Sequence, residues 1–575
     1  MRRFLPFLQW LPSYKTSWFT KDLAAGLTVA MLLVPQGMAY ALIVDLPPIY
    51  GLYASLVPLL VYALLGTSNR LAVGPTAIDS LLVAAGLGTL ALTGIENYIA
   101  MAFLLAFMVG SIQMLLGFLR MGFLVNFLSK PVINGFTSAA AVIIIVSQMK
   151  HLLGVEVSSG GQLYKFLINL SQAIPDTDPI ALGIGVAGIV LLWLIKKLRT
   201  GIPGILIVVV MGILAVYFLG LQRHGVAIIG EVPGGLPSFT LPEFSWPKVK
   251  SLFFMAVVIA MIGYTEAISI AKAMQSKEEP DTLDPNQELL ALGSANVIGS
   301  LFQSYLASAS FSRSAVNRAS GAKTPLASII TAALVALTLL FFTKLFFYLP
   351  NAILASIIMV SVAGLIDISY PKALWKYRKD EFLVLLVTFI CSLLAGLPEG
   401  ILTGVLLSLL LMVYRTSKPH FAVLGNIVGS DYYKNVDRFT EDIQLRPDLL
   451  IFRFDSQLYF GNISYFKKQL FRCIAGEGHT LKGVILNAEA INYIDSTAVE
   501  VLANTIHEIQ GRGIKFYIAG AIGPARDIIF NSRIIEELPS AHLFGRTKEA
   551  VDCFDNPDTI AKIGDKIAHE SRYQG

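Results

Sequence analysis

Two apolar stretches of the sequence are interrupted by short runs of small and polar residues. The first interruption is Val73-Gly74-Pro75-Thr76-Ala77, and the second is Ser308-Ala309-Ser310-Phe311-Ser312-Arg313-Ser314. Each is followed by a stretch that can restart as a helix. Unwound backbone at membrane depth survives only where protein or a water-filled cavity satisfies its polar groups. Matching breaks in two halves of a membrane protein therefore predict a substrate site, at which two helix N-termini face one anion.

The second break offers several groups that bind anions. Hydroxyls come from Ser308, Ser310, Ser312 and Ser314. A helix beginning near Ser312 supplies free backbone N–H groups, and Arg313 supplies a permanent positive charge. Together these groups suit a hydrated oxyanion. The alternative is that the small residues only allow close helix packing, but a charge inside the membrane is costly and favours a functional role.

The first break is predicted to be the partner of the second. Gly74 and Pro75 release the chain from helical hydrogen bonding, and Thr76 and Ala77 stand at a new helix start. The alternative is a simple proline kink.

Two acidic residues, Glu266 and Asp79, fall inside predicted membrane spans. A carboxyl group at this depth can take up a proton during a transport cycle, so either residue could couple transport to protons. The alternative for each is a salt bridge with Arg313, which is the only deep cation that the sequence offers.

Gln36 and Tyr40 lie in the first span, just after Pro35. A helix breaker, a polar amide and an aromatic ring so close together could line a pocket near the two breaks, with Gln36 donating a hydrogen bond and Tyr40 closing one side. A kink with ordinary packing explains the same residues.

Composition shows which elements must position these side chains. The 575 residues are 55% hydrophobic and 14% charged, with a mean hydropathy of +0.66, whereas soluble proteins are roughly 25% charged. The chain is therefore a polytopic α-helical membrane protein. Apolar runs long enough to span a bilayer predict fourteen spans, of which the third and tenth are broken: 22–44, 50–66, 71–90, 98–118, 124–149, 179–196, 202–220, 251–272, 286–301, 305–320, 325–347, 350–367, 381–396 and 399–415.

Basic residues follow most of the even-numbered spans, namely Arg70, Arg120, Lys196, Lys272, Lys323, Lys372 and Arg415. Positive charge favours the cytoplasmic side, so both termini are predicted to be cytoplasmic. Seven spans precede the Pro/Gly-rich loop at 232–237 and seven follow it, with a break in the third span of each half. This pattern predicts a seven-plus-seven inverted repeat.

The predicted domains follow from these patterns. Residues 1–20 form an interfacial segment on the lipid bilayer, 21–417 the transmembrane domain, 418–448 a linker with the start of the soluble region, 449–556 a cytosolic α/β domain and 557–575 a tail. In the α/β domain, strands are predicted at 449–454, 483–486 and 514–519.

Several classes of function receive no support. The small net charge of +5 does not indicate nucleic-acid binding, and the scattered histidines and three cysteines lack the spacing of a metal site. No catalytic arrangement of side chains is recognisable, so the chain is predicted to be neither an enzyme nor a cofactor-binding protein.

The motifs together resemble the SulP family of sulfate permeases and anion exchangers. The resemblance runs through residues 22–26, 35–41, 73–77, 263–271 and 310–317. It implies core and gate domains, a homodimer, and an elevator-type cycle in which the core moves against the gate. It also implies an anion held between the third and tenth helices at Ser310, Phe311, Ser312 and Arg313, with Glu266 as the proton-coupling acid. Asp79 is less typical of the family's motif.

The soluble region resembles a STAS domain, through residues 492–498. In related anti-sigma antagonists the serine after the aspartate is phosphorylated, which would here be Ser496. A helix cap explains the same residues. An unidentified cytosolic partner is expected.

Two functional classes stay open: a secondary carrier, and an uncoupled, channel-like anion conductor. Deep acids favour the carrier, because carboxylates repel an anion in a passive path. Within carriers, the resemblance favours sulfate over bicarbonate, dicarboxylate or chloride, protons over sodium, and the plasma membrane as the location.

Overall fold

The structure is a computed structural model. It describes residues 5–88, 90, 94–123, 129–157, 163–198, 204–275, 283–438, 443–477, 480–538 and 542–556. The predicted tail 557–575, the first four residues of the predicted segment 1–20 and residues 124–128 of the predicted fifth span lie outside the described residues. The chain divides into two compact units, Met1–Ser408 and Leu409–Gly575.

The first unit is helical, and α18 continues from it into the second. The helices are α1 (Phe7–Trp10), α2 (Thr16–Ile43), α3 (Pro48–Ala54), α4 (Val57–Leu65), α5 (Ala77–Gly88), α6 (Ile95–Phe118), α7 (Lys130–Leu153), α8 (Leu163–Ala173), α9 (Pro179–Leu198), α10 (Gly204–Leu219), α11 (Trp246–Met274), α12 (Pro285–Leu301), α13 (Phe311–Ala319), α14 (Leu326–Leu337), α15 (Asn351–Ala363), α16 (Ser369–Tyr377), α17 (Lys379–Leu394) and α18 (Leu397–Ser417). Two-residue strands β1 (Val73–Gly74) and β2 (Ser308–Ala309) precede α5 and α13.

The helices of the described residues account for fourteen crossings, arranged as two sets of seven. In the described residues, eight helical segments are long and apolar enough to cross a membrane, with α3 and α4 counted together and α14 extended to Phe346. The shorter α5, α10, α12, α13, α15 and α17 complete the set. α5 and α13 are short because each is only the second half of a broken span.

Three short helices were not predicted as separate elements. The first is α1, which lies in the segment predicted to be interfacial. The long helix α2, which follows it, begins at Thr16, six residues before the predicted first span. α8 buries only Phe166 and Leu170, and α16 buries only Leu374. Such helices are too short to cross a bilayer, so the search for long apolar runs overlooked them.

The helices of the first unit pack as a core bundle and a gate bundle. In the core bundle, α12 packs against α4 and α6, and α2 packs against α3, α13 and α14. In the gate bundle, α7 packs against α15 and α17, and α15 packs against α9. Glycines permit the closest approach in the core: a Cβ on Gly293 would lie 2.7 Å from the carbonyl oxygen of Gly110 across the interface between α6 and α12.

The second unit is built on a mixed β-sheet. Its described strands are β3 (Phe421–Ile427), β4 (Tyr433–Asn435), β5 (Ile443–Gln444), β6 (Leu449–Phe454), β7 (Gly483–Asn487), β8 (Lys515–Ala519) and β9 (Leu543–Phe544). They follow the order β4-β3-β6-β7-β8-β9, with β5 also paired to β3. β6 to β9 are parallel, and β3 runs antiparallel to β6.

Residues 418–448, predicted to hold a linker and the start of the soluble region, contain regular strands in the structure. β3 pairs with β6, with Phe421 opposite Phe454, and β4 and β5 both pair with β3. The segment supplies three strands of the sheet. Its strands are short and interrupted by polar turns, so the pattern of alternating side chains is too brief to be recognised in the sequence.

Alternating side chains bury both faces of the sheet. The described helices α19 (Ile463–Glu477), α20 (Ser496–Gly511), α21 (Gly523–Phe530) and α22 (Ile534–Glu537) pack on one face. α23 (Thr547–Asp555) packs on the other, against Ile451, Ile485 and Tyr517. The period of two residues in a strand divides neighbouring side chains between these two layers.

Candidate anion site at the paired helix breaks

The two chain breaks lie side by side and pair with each other. Val73 in β1 lies opposite Ala309 in β2, and Gly74 lies opposite Ser308, in an antiparallel arrangement. The Ser310 N–H also donates to the carbonyl oxygen of Ala72 at 3.0 Å. Each break therefore satisfies backbone groups of the other, as unwound chain at membrane depth requires.

A hydroxyl group caps each helix that follows a break. The Asp79 N–H donates to Thr76 Oγ1 at 3.2 Å, and that hydroxyl donates to Asp79 Oδ2 at 2.6 Å. At the start of α13, the Arg313 N–H donates to Ser310 Oγ at 3.5 Å. An N-cap hydroxyl satisfies one of the unpaired donors of a helix's first turn. Asp79 and Arg313 therefore occupy equivalent positions, each three residues after its cap.

Arg313 is fully buried and holds the first break. Its Nη2 donates to the carbonyl oxygen of Pro75 at 2.9 Å, and its Nη1 donates to Gln36 Oε1 at 3.4 Å. A Cβ on Gly74 would lie 3.3 Å from the same Nη2. Gln36 thus accepts from the arginine, whereas the sequence interpretation had Gln36 donating into a pocket.

The alternative of a salt bridge between Arg313 and a deep acid is not found. Among the described residues, Arg313 forms no ion pair with either Glu266 or Asp79. Its charge instead lies against the dipoles of a backbone carbonyl and an amide. These neutral partners leave the positive charge uncompensated at the place where α5 and α13 begin.

Further hydrogen bonds join the breaks to the surrounding helices. Ser314 Oγ accepts from the Ala72 N–H at 2.9 Å, and Asn317 Nδ2 donates to the carbonyl oxygen of Arg70 at 3.1 Å. On α12, Asn296 Oδ1 accepts from the Ala307 N–H at 2.9 Å. The sequence singled out Ser314 for its hydroxyl group and Asn317 only as part of the family motif, and it did not single out Asn296. None of the three was predicted to join the breaks to other helices, although two polar side chains within the short α13 were a signal for that role.

Tyr40 and Tyr305 lie buried near the charged residues of the breaks. Both tyrosines are close enough to Arg313 for electrostatic interaction, and Tyr305 is also close enough to Asp79. The Tyr305 hydroxyl is 3.2 Å from Ser80 Oγ. Tyr40 was predicted as a pocket residue, but Tyr305 was missed; a tyrosine three residues before the second break was the available signal.

The remaining predicted anion-binding side chains differ in exposure. Thr76 and Ala77 are buried, whereas Phe311 is 55% exposed and Ser312 is exposed. Ser310 Oγ lies 3.5 Å from Ser312 Oγ. The exposed side chains at the start of α13 leave this helix end accessible.

The two deep acids lie on neighbouring helices, α5 and α11. Asp79 is fully buried, whereas Glu266 is partly buried beside apolar side chains that include Val132, Phe136 and Ile401. The carboxyl groups are close enough for their charges to interact. Neither forms an ion pair with another residue of the described ranges.

Ser496 is the first residue of α20 and its side chain is exposed. The preceding Asp495 caps the helix, because its Oδ1 accepts from the Ala498 N–H at 2.7 Å. Its Oδ2 accepts from the Phe460 N–H at 2.8 Å. The aspartate in this motif therefore has a structural task, and the serine hydroxyl remains accessible.

Comparison with known proteins identifies relatives along nearly the whole chain. The model of the Sulfate permease family matches residues 19–388, and the STAS domain model matches residues 441–550. The protein named Sulfate transporter 4.1, chloroplastic, from Arabidopsis thaliana is 37% identical, with 99% of this chain and 85% of the relative covered. High affinity sulfate transporter 2 from Stylosanthes hamata is 32% identical, with 98% and 87% covered.

A solved structure shares both the membrane and the soluble parts of the fold. It is the murine Solute Carrier 26 family member A9 anion transporter in the inward-facing state. The two chains are 27% identical and superpose with a TM-score of 0.89, over 95% of this chain and 93% of the other.

Proposed function

The chain belongs to the sulfate permease family, and we propose that it is a secondary carrier that takes up sulfate together with protons. It is a multi-pass membrane protein with a C-terminal STAS domain, and its relatives are anion transporters. Proteins named as sulfate transporters are similar to it over almost its full length, which supports sulfate as the anion.

One observation carries the proposed anion site: the starts of α5 and α13 meet at paired chain breaks, with an uncompensated guanidinium between them. The first N–H groups of a helix have no partner within the helix and attract anions. We assign the anion to these helix ends. The residues proposed to contact or shape its site are Gln36, Tyr40, Thr76, Ala77, Ser310, Phe311, Ser312 and Arg313.

Arg313 acts in this site chiefly through its field and through the backbone it holds. Both of its bonded groups lie in other elements, since Pro75 belongs to the first break and Gln36 to α2. A charge in a buried, weakly polarisable environment acts over a longer distance than a charge in water. The arginine therefore favours an anion at the helix ends and fixes the geometry of the first break.

Alternating access is proposed to come from movement of the core bundle against the gate bundle. The paired breaks belong to the core, because α5 and α13 both pack with α2 and β1 packs with α4. A site contained in one bundle can move with that bundle as a rigid body. The functional unit is proposed to be a homodimer whose STAS domain binds a cytosolic partner.

Proton coupling is assigned to Glu266. Its carboxyl group is partly buried, lies beside apolar side chains and has no cationic partner among the described residues. An intramembrane carboxyl of this kind is a functional candidate by default. Glu266→Gln, which mimics the protonated acid, is expected to keep sulfate binding but to lose the dependence of net uptake on the pH gradient.

Both termini are proposed to be cytoplasmic, in a plasma membrane. The basic residues after the even-numbered spans support this orientation. One relative is named as chloroplastic, so fluorescence microscopy of a tagged chain in its own cell is the direct test of the membrane in which it resides.

The function is tested by reconstituting the purified protein in liposomes and measuring uptake of labelled sulfate. An inward proton gradient should drive accumulation, and a sodium gradient alone should not. Competition by bicarbonate, a dicarboxylate and chloride tests the choice of anion. Uptake that follows only the membrane potential and never exceeds electrochemical equilibrium would identify an uncoupled conductor and contradict the proposal.

A further inference from the structure

The inverted repeat places two related half-sites of opposite charge at the paired breaks. Thr76 and Ser310 cap equivalent helices, and Asp79 and Arg313 follow them at the same spacing. Their environments are equivalent as well. Arg313 lies against Gly74 of the first break, and Asp79 lies beside Ser308 of the second. Gly74 and Ser308 are themselves opposite each other in the strand pair. One half-site is therefore cationic and the other acidic.

The acidic half-site contains two buried oxygens that lack a well-formed hydrogen bond. Within the described part of the chain, neither Asp79 Oδ1 nor Ser308 Oγ has a well-formed hydrogen bond to any group, although the two side chains lie beside each other. Both atoms face the backbone of Gly263 on α11, where an added Cβ would lie 3.7 Å from Asp79 Oδ1 and 3.4 Å from Ser308 Oγ. A buried oxygen without a partner is unfavourable, and more so when it belongs to a charged carboxylate. The Ser308 hydroxyl can turn to donate to Asp79 Oδ1, but it brings no charge, so the described residues leave the Asp79 carboxylate without a cation beside it.

Glu266 joins this half-site from the same helix as Gly263. It follows Gly263 by three residues, which places the two on one face of α11. Because Gly263 faces Asp79 and α11 packs against α5, Glu266 lies on the side of α11 that is turned toward Asp79. Two carboxyl groups that repel each other in a desolvated place do not both remain ionised.

The other titratable groups near this pair have partners of their own or lie toward the cationic half-site. Tyr264 donates to the carbonyl oxygens of Gly122 and Pro285, and Glu288 on α12 accepts from Tyr62 and Thr67. Tyr305, three residues before the second break, lies near Asp79, Tyr40 and Arg313, and its hydroxyl is 3.2 Å from Ser80 Oγ. From α6, the neutral Gln113 places its Nε2 3.8 Å from the position of a Cβ on Gly263. The described residues thus offer the pair no cation.

We propose that Asp79 and Glu266 form one proton-binding site in which the two carboxyl groups share a single proton, with Ser308 Oγ as a hydrogen-bond partner. The inference rests on the proposed proton-coupled function and adds a second acid to it. The proton arrives from water, resides on either carboxyl oxygen and leaves again to water. No other bond forms or breaks.

Sharing has a consequence that can be measured on Glu266. If the Asp79 charge helps to hold the proton, its removal must weaken proton binding by the remaining acid, because a neighbouring negative charge favours the protonated form. Asp79→Asn keeps an oxygen that can accept from Thr76, so the cap of α5 is retained. Asp79→Ser, with a shorter polar side chain, is a second variant in case the first one folds poorly.

The experiment measures sulfate uptake by proteoliposomes across a range of external pH at a fixed pH gradient. For Asp79→Asn, we expect the midpoint of the pH dependence to move to lower pH by about one unit or more. Two acids that share a proton change each other's proton affinity by at least about one pH unit, and this interaction is lost in the variant. Glu96→Gln, which removes an exposed acid at the start of α6, is the matched control and should leave the midpoint unchanged.

A second measurement does not depend on transport. Protons taken up when sulfate is added to the detergent-solubilised protein can be followed with a pH-indicator dye, and Asp79→Asn should shift this uptake to lower pH by the same amount. An unchanged midpoint in folded Asp79→Asn, or a shift that requires sodium, would overturn the shared site while leaving the role of Glu266 intact. Retained pH-gradient dependence in folded Glu266→Gln would instead contradict the proposed function.

Discussion

At the residue scale, the buried Arg313 has two tasks that a single substitution affects together. It gives the helix ends a positive field, and it is bonded to the first break through Pro75 and to α2 through Gln36. A buried guanidinium is easily explained as half of an ion pair, but here both bonded partners are neutral. The arginine is thus expected to contribute both the positive charge of the proposed site and the hydrogen bonds that fix its geometry.

Arg313→Ala is expected to reduce sulfate affinity by about 10- to 100-fold, since hydrogen bonds to charged groups contribute about 1.5–3 kcal/mol. Arg313→Lys keeps the charge but cannot hydrogen-bond to Pro75 and Gln36 as the guanidinium does. Its sulfate affinity should therefore lie between the affinities of Arg313→Ala and the wild type. Binding is measured by isothermal titration calorimetry on purified protein. Unchanged affinity in folded Arg313→Ala would remove this residue from the site.

Gly74 tests whether the position of the guanidinium matters independently of its charge. A Cβ at Gly74 would lie 3.3 Å from Arg313 Nη2 and 3.2 Å from Leu33 Cδ1, so Gly74→Ala should displace the arginine and weaken sulfate binding by up to about tenfold, as overpacking costs about 1–3 kcal/mol. The matched control is Gly88→Ala at the end of α5, where a Cβ would meet no atom within 4 Å. Equal affinities of the two variants would show that this contact is unimportant.

At the element scale, each helix that begins at a break depends on the opposite break. α5 and α13 are too short to span the membrane alone, and their preceding backbone is satisfied by the β1–β2 pair, by Ser314 and by Asn317. In the soluble unit, an equivalent dependence joins the turn before β6 to the end of α23: Arg446 donates to both Asp448 and Asp555. Local elements in both units are therefore completed by distant ones.

The hydrogen bonds from Arg446 hold the pKa of Asp448 below its usual value. A carboxyl whose pKa is lowered by folding stabilises the folded state above its unfolded pKa of about 3.9, and this contribution is lost as the pH falls through the folded pKa. Asp448→Asn should therefore be less stable than the wild type at pH 7 and lose less stability on acidification to about pH 3. Limited proteolysis of the STAS domain in the full chain measures this. A parallel acid dependence of variant and wild type would contradict the assignment.

At the scale of the whole molecule, the proposed transport site belongs to one unit of the chain. Both breaks, both deep acids and all the described side chains proposed to contact the anion lie before Ser408, within the unit that contains the core and gate bundles. The STAS domain has its own two-sided core around the mixed sheet. Anion binding and the soluble domain are therefore separable by truncation.

Truncation after Ser417 should leave sulfate binding intact, although turnover or abundance can fall if dimer contacts are lost. A cut after β3 would instead keep that strand without its partner β6 and expose an unpaired strand edge. Sulfate affinity of the purified, folded membrane domain is the measurement. Complete loss of binding would show that the soluble domain contributes to the site.

The sequence alone determined the features that follow from residue type and period. Long apolar runs required fourteen membrane spans, and charge after even-numbered spans together with two matching breaks indicated the inverted repeat. The breaks had to be special, because unpaired backbone is not tolerated in lipid. Arg313 and Glu266 were conspicuous for a similar reason, since charged groups in a membrane are costly.

Only the tertiary structure decided which groups satisfy each other across the repeat. That Gln36 accepts from Arg313, that Asp79 faces Ser308 and that Tyr305 lies near both charged residues depends on helices far apart in the chain. The same holds for residues 421–444. Their short strands are recognised as part of the sheet only from the pairing of β3 with β6. Contacts between distant segments leave no periodic pattern in a single sequence, because each partner is chosen by the packing of the whole fold.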